Sequence, residues 1–131
     1  HMNEARLSLN TAPVWDINLR GGAAEIDFDF TQFKIRNVTI NGGATSSKIK
    51  LAANLPVTNV SVTTGASEVK IKVPKNAGCE IMVHSGLSSN DFEGFKKISG
   101  SHYTKPGFDA APNKIYINLK GGVSEFKVER Y

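Results

Sequence analysis

The carboxylates Asp27, Asp29, Asp91 and Glu93 are the first candidates for chemistry, because acids paired two positions apart could serve general acid/base cleavage of a glycosidic bond. Between them fall Lys48, Lys50, Lys70 and Lys72, also spaced by two, which would suit a small anion or an acidic polymer. Cys79 and His84 offer a thiol and an imidazole, and His102 lies further on beside Tyr103. In an extended chain positions 79 and 84 face opposite sides, so they form no nucleophile–base dyad. Cys79 precedes the apolar Ile81 by two and reads as a small buried residue. Asp27-x-Asp29 has no loop to supply the six or more oxygens that calcium takes. A Gly-x-Ser-x-Gly elbow, a phosphate loop and a zinc spacing are all missing from the sequence. The expectation is a protein without enzymatic activity, cofactor or metal.

The elements that carry these residues are repeated. Ile17-Asn-Leu19-Arg-Gly21-Gly22-Ala23-Ala24-Glu25-Ile26-Asp-Phe28-Asp-Phe30 is followed, 21 residues on, by Val38-Thr-Ile40-Asn-Gly42-Gly43-Ala44-Thr45-Ser46-Ser47-Lys-Ile49-Lys-Leu51. A third copy holds Val60, Val62, Gly65, Val69, Ile71 and Val73, and a fourth, weaker one holds Ile81, Val83, Gly86, Asn90 and Phe92. The fifth runs from Ile117 through Gly121-Gly122 to Val128. Apolar and polar residues alternate within each copy, the signature of half-buried strands. The central glycines mark a sharp corner, since glycine permits positive φ and close backbone approach. Asn54-Leu55-Pro56 and Pro74 to Gly78 write a second corner.

One such rung cannot bury its inward residues, but stacked rungs bury a continuous core. The sequence therefore predicts an all-β chain: a short single-domain β-solenoid of about five two-stranded coils over 15–131, with one long loop insertion at 94–114. A sandwich of hairpins is the rival, and it leaves the constant spacing of the glycine slot unexplained. Ser47 and Asn90 fall where other copies have Ile26, Val69 and Phe126, either bonding the corner backbone or lining an inward polar ladder. Phe92, Phe95, Tyr103 and Phe108 predict that the insertion folds back over the solenoid side, where Tyr103 and Phe108 either cap the fourth rung or bind a partner.

Stacking in chain order sets Asp27 near Lys48, Asp29 near Lys50, Lys70 near Asp91 and Lys72 near Glu93. Most of the charge then reads as a solvated face of weak cross-rung pairs. The two acid pairs would lie about 14 Å apart, beyond the reach of glycosidase carboxylates. The net charge of +4 does not point to nucleic acid, because no aromatic residues interleave with the lysines to stack bases. Stacking in chain order also leaves the fifth coil at an open end. That edge, over Ile117, Leu119, Phe126 and Val128, is expected either to add a strand from a second copy or a protein partner, or to be blunted by Lys120, Lys127, Glu129 and Arg130.

His1-Met2 read as residues left by an expression vector, and 3–14 as an amino-terminal capping segment in which Arg6 to Asn10 covers the first rung. No apolar run approaches the ~20 residues of a spanning helix. At 40% hydrophobic and 21% charged residues the chain has ordinary globular usage, which argues against wholesale disorder.

The string from Gly86 to Phe95, followed by Tyr103, Pro106-Gly-Phe-Asp109 and Asn113-Lys-Ile-Tyr-Ile-Asn-Leu-Lys-Gly-Gly122-Val, resembles the toast-rack domain at the carboxyl end of LiaF-like, cell-wall-active-antibiotic response proteins of bacteria. The related adhesin-type repeats share the glycine corners. The resemblance covers Trp15 to Val128. It implies a β-solenoid carried behind amino-terminal membrane helices, at the cell envelope, in a protein that senses or damps envelope stress. An adhesin-like or glycan-binding surface module is the alternative. The resemblance supplies no catalytic residues.

Overall fold

The computed structural model describes residues 3–5, 14–52, 54–92, 94–105 and 107–131. Its strands are β1 (Asn3–Ala5), β2 (Val14–Asp29), β3 (Lys34–Lys50), β4 (Val57–Val73), β5 (Gly78–Asp91), β6 (Lys96–Ser99), β7 (His102–Thr104) and β8 (Lys114–Arg130). A 3-10 turn occupies Phe108–Ala110. Arg6 to Asn10 and Glu93 lie outside the described residues.

The five long strands pair in parallel and in register, so that Ile17, Val38, Val60, Ile117 and Ile81 form one stack. Parallel pairing of strands joined by short links dictates the rest. Residues 30–33 connect β2 to β3 and reach about 17 Å at most. A straight strand of 16 residues would be about 50 Å long, so each strand must fold back on itself. It does so at the glycines. In β4 the buried positions are Thr58, Val60, Val62 and Thr64 before the corner and Val69, Ile71 and Val73 after it, so the inward parity switches across residues 65–68. Both limbs of each strand thereby line a single core, to which the first limbs bring Val38, Ile40, Val62 and Leu119 and the second limbs Phe28, Ile49, Ile71 and Phe126. The pairing skips only the central corner glycines and resumes beyond them in the same register, so each coil is one bent strand where the sequence suggested two.

The coils are not stacked in chain order. β8, the fifth copy, lies between β4 and β5, and the sheet runs β1-β2-β3-β4-β8-β5-β7-β6. After β4 the chain crosses by way of residues 74–77, leaves one strand's width open, and fills it last. This overturns the expected open edge at the fifth coil: Ile117, Leu119, Phe126 and Val128 are all buried in an interior strand. Side-chain chemistry accounts for the order. An interior strand is covered on both edges and rewards Phe126, whereas β5 carries the exposed Asn90 in the same slot and sits nearer the end.

The insertion folds back as expected. β6 and β7 form an antiparallel hairpin, and β7 pairs in turn with Glu80, Ile81 and Met82 of β5. Lys105, whose residue is buried, clamps it by donating from Nζ to the carbonyls of Lys75 and Ala77, the latter at 2.6 Å. The second corners are also tied across rungs. Asn54 donates to the carbonyls of Thr31 (3.1 Å) and Phe33 (3.0 Å), and Asn113 to that of Leu55 (2.8 Å).

Positive φ is not the reason for the corner glycines, since the positive-φ glycines are Gly94 and Gly107 in the insertion. Close approach is. A Cβ on Gly43 would lie 2.9 Å from the carbonyl oxygen of Gly22, one on Gly65 2.9 Å from that of Gly43, and one on Gly122 2.7 Å from that of Gly65. Under the corner Thr64 Oγ1 donates to Ser67 Oγ at 2.6 Å, and Ser67 Oγ to Ser124 Oγ at 3.2 Å. Ser47 adopts neither expected role. It is buried between Ile26 and Val69 in register, and its hydroxyl finds no partner among the described residues.

Two predictions follow from this packing. Gly122→Ala pushes backbone against backbone and should destabilise the protein by about 1–3 kcal/mol. Gly22→Ala meets nothing within 4 Å and should be neutral or slightly stabilising, so thermal melts that rank the two alike would refute the corner geometry. Ser47→Ala removes an unsatisfied buried hydroxyl and should raise stability by roughly 1 kcal/mol in chemical denaturation, whereas a loss of that size would mean the hydroxyl is bonded.

Candidate functional site

Alternation sends every second residue outward, and in-register stacking turns each outward position into a column across the sheet. On the second limbs one column reads Asp27, Lys48, Lys70, Lys127, Asp91 and the next Asp29, Lys50, Lys72, Glu129. The structure thus brings Lys48, Lys50, Lys70 and Lys72 together and adds Lys127, which chain order had placed apart. Lys70 faces Lys127 rather than Asp91, and Lys72 faces Glu129 rather than Glu93. A depression of about 240 Å³ opens among Asp27, Asp29, Lys48, Lys50, Lys70 and Lys72.

The carboxylates around this strip are engaged unevenly. Asp29 turns to Thr31, accepting from its amide at 2.9 Å and its hydroxyl at 2.6 Å, and these bonds hold its pKa below the ordinary value. Glu129 lies 3.0 Å from Lys127 and 3.6 Å from Lys70, and the Lys127 hydrogen bond, reinforced by the fields of Lys70 and Lys72, lowers its pKa. Lys127 also approaches Asp91 at 3.9 Å. Lys50 sits over the Tyr131 ring, 4.6 Å from its centre. Toward the corner a third column adds Glu25, Glu68 and Glu125. The strip is therefore bounded by acids on both flanks and suits a surface of alternating charge better than a long uniform polyanion. With three strands between them, Asp27 and Asp91 are about 19 Å apart, still further from glycosidase geometry.

The aromatic candidates are not part of this strip. Tyr103, on β7, packs edge-on against Phe92 with ring centres 4.9 Å apart, and Lys97 lies over its ring at 6.0 Å. Phe108 packs edge-on against Tyr116 at 5.7 Å, with Lys114 over its other side at 5.2 Å. Phe126 is fully buried and unavailable to a partner. Cys79 is also fully buried, and burial pushes its thiol pKa up to about 12, which removes it as a nucleophile at neutral pH. Exposed His84 is on β5, and His102 meets the Glu80 carboxylate. Among the described residues no three of His, Cys, Asp and Glu group to hold a metal ion.

The outer face of the first limbs has a different chemistry, one that the charge pattern did not single out. Its central column reads Asn37, Asn59, Tyr116, and the next reads Asn18, Thr39, Ser61, Asn118. A groove of about 350 Å³ crosses β3, β4, β8 and β5 here. Its two end residues, Asn37 and Glu80, are each held by a polar contact. Arg36 binds Asp16 through two bonds of 3.0 and 2.5 Å, joined by the Asn37 amide at 2.8 Å, and Glu80 meets His102 at the far end. The signal was present in the sequence as Asn-x-Thr-x-Asn at 37–41 and Asn-x-Ser-x-Thr at 59–63, but short polar residues on outward positions read as ordinary solvated strand.

Together these features define a β-solenoid whose outer faces, rather than a cleft, carry its recognisable chemistry. Residues 1–72 match the family of the N-terminal domain of toast_rack, DUF2154, and the chain belongs to the toast-rack family. That match covers the first three copies, whereas the strings that suggested the family lie mostly after it. Among solved structures, a "putative cell adhesion protein" from Clostridium sporogenes superposes with a TM-score of 0.88 at 20% identity, over 94% of this chain. The chain spans 58% of that protein's length. No curated protein matches. Among the described residues no helix is long and apolar enough to cross a membrane.

The Asp16 end of the groove makes a pH prediction. Hydrogen bonding from Arg36, then from Asn37, holds the Asp16 pKa at about 2, below the ordinary 3.8. A pKa lowered by folding contributes stability that is complete above the unfolded value and is lost as pH falls toward the folded one. Arg36→Gln should return the Asp16 titration toward 3.8 and shift the acid-side loss of stability accordingly. Carboxyl-detected NMR titration reads this directly, and an Asp16 curve unmoved by the substitution would show that the pair does not set its ionisation.

Proposed function

We propose that this chain is a non-catalytic interaction and sensing domain of a bacterial, membrane-associated protein of the cell-envelope stress response. The observation that carries the reading is membership of the toast-rack family, joined to outer faces that offer recognition chemistry. The Lys48, Lys50, Lys70 and Lys72 strip, bordered by carboxylate columns, is the proposed contact for a protein partner, because alternating columns select a partner with matching alternation. Strand addition is proposed on the β5 side of the sheet rather than at β8, which is an interior strand. An adhesin-like or glycan-binding surface module is the second reading. The solved structure's description as a "putative cell adhesion protein" favours it, as does the asparagine-lined groove on the first limbs.

The test is genetic. Deleting the gene in its host should shift the dose of a cell-wall-active antibiotic at which an envelope-stress reporter responds. The intact gene should restore the dose, whereas a gene with Lys48, Lys50, Lys70 and Lys72 changed to Glu should not. A reporter indifferent to the deletion would remove the envelope-stress reading, and full rescue by the charge-reversed gene would remove the lysine contact.

A further inference from the structure

We infer that the amide-lined outer face of the first limbs is a binding groove for a neutral oligosaccharide, held by Asn37, Asn59 and Asn118 with Tyr116 as its apolar platform. The inference deepens the surface-module reading and is independent of the envelope-stress role.

Among the described residues no lysine or arginine lines the groove, so it has no means of selecting phosphate or an acidic polymer, and Glu80 at its end would repel either. Its large apolar residues are few: Val38, Val60 and Ile117 have their side chains buried in the core on the other side of the sheet, so only Met82 and Tyr116 present apolar surface. A protein interface built on aromatic and aliphatic anchors is therefore a poor fit.

What the groove offers is dense hydrogen bonding. Each asparagine presents two N–H donors and a carbonyl acceptor, and Thr39 and Ser61 add hydroxyls that both donate and accept. Among the described residues, none of Thr39, Asn59, Ser61 and Asn118 has a side-chain hydrogen-bond partner. Asn37 directs its amide N–H at Asp16. Short side chains on paired strands lose little conformational freedom on binding, and the sheet holds them about 4.8 Å apart from rung to rung. A ligand that is uncharged, rich in hydroxyls and extended across the strands complements this surface, and a pyranose chain has those properties.

Tyr116 supplies the remaining element. Sugars carry apolar C–H faces as well as hydroxyls, and they pack those faces on aromatic rings. The Tyr116 ring is half-buried, lines the groove, and is fixed by its edge-to-face contact with Phe108. The groove volume of about 350 Å³ falls within the ~300–1,000 Å³ of small-molecule sites. The two faces of the solenoid thus divide their chemistry, with charge on the second limbs and neutral amides on the first.

The experiment uses the whole chain and calorimetry with cellohexaose, chitohexaose, maltohexaose and a manno-oligosaccharide, alongside polygalacturonate and inorganic polyphosphate. At least one neutral sugar should bind, with an affinity unchanged between low and high salt because no ion pair is formed. Asn59→Ala and Tyr116→Ala should each weaken that binding at least about tenfold while melting near the parent temperature. Tyr116→Phe, which keeps the ring, should retain most of it, and Lys96→Gln, on an exposed position of β6, should change nothing. Failure of all four neutral sugars to bind overturns the proposal. So does binding confined to the polyanions and abolished by salt, or neutral-sugar binding indifferent to Asn59 and Tyr116. A negative result here leaves the reporter experiment unaffected, and a silent reporter leaves sugar binding standing, so the two readings fail separately.

Discussion

The contact on which this structure depends is the seating of one corner on the next, where the carbonyl oxygen of one glycine occupies the space that a side chain on the glycine one rung away would need. Any side chain there would push the backbones apart and strain the pairing that continues on both sides of the bend. Because the bend holds, a strand too long for its connecting loop can return to its start, and two limbs can share one set of apolar residues. The corner is thus where local geometry becomes global topology. The tyrosine at the chain's end shows how tightly the far side is drawn in, since Tyr131 bonds through its hydroxyl to the carbonyl of Leu51 and through its backbone to Val73 and Lys75.

Much of the fold was legible because repetition is legible. The spacing that carries Ile17 to Val38 and Val60, with glycine always in the same slot, is left unexplained by hairpins and matches the in-register stacking observed. The order of the coils was not legible for the same reason. Copies that match one another in register offer no sequence signal for which pair must be neighbours, and chain order was the natural default. Only the difference between Phe126 and Asn90, one suited to a covered strand and the other to the margin, spoke against it. The fate of Phe126 followed directly, since a residue assigned to an edge proved to lie in the core.

The outer faces show the converse. The lysine strip was found from charge alone, because charge stands out against a solvated background, but its fence of glutamates and its fifth lysine depended on the order of the rungs. The amide face escaped notice because asparagine, serine and threonine are what an unremarkable exposed strand contains. Its meaning came from contiguity, with Asn37, Asn59, Tyr116 and Asn118 meeting across three strands that the sequence separates widely.

The interior position of β8 bears on how the protein is made. A ribosome releases β2, β3 and β4 first, then β5 and its hairpin, and only afterwards the strand that belongs between them. Until that strand emerges, the finished side of β4 has no neighbour and the nascent chain carries an uncovered row of amide and carbonyl groups beside apolar residues. Vectorial synthesis therefore cannot complete this solenoid rung by rung, as it could a stack built in chain order. Cover for the facing edges of β4 and β5 waits on a strand that is made after both of them.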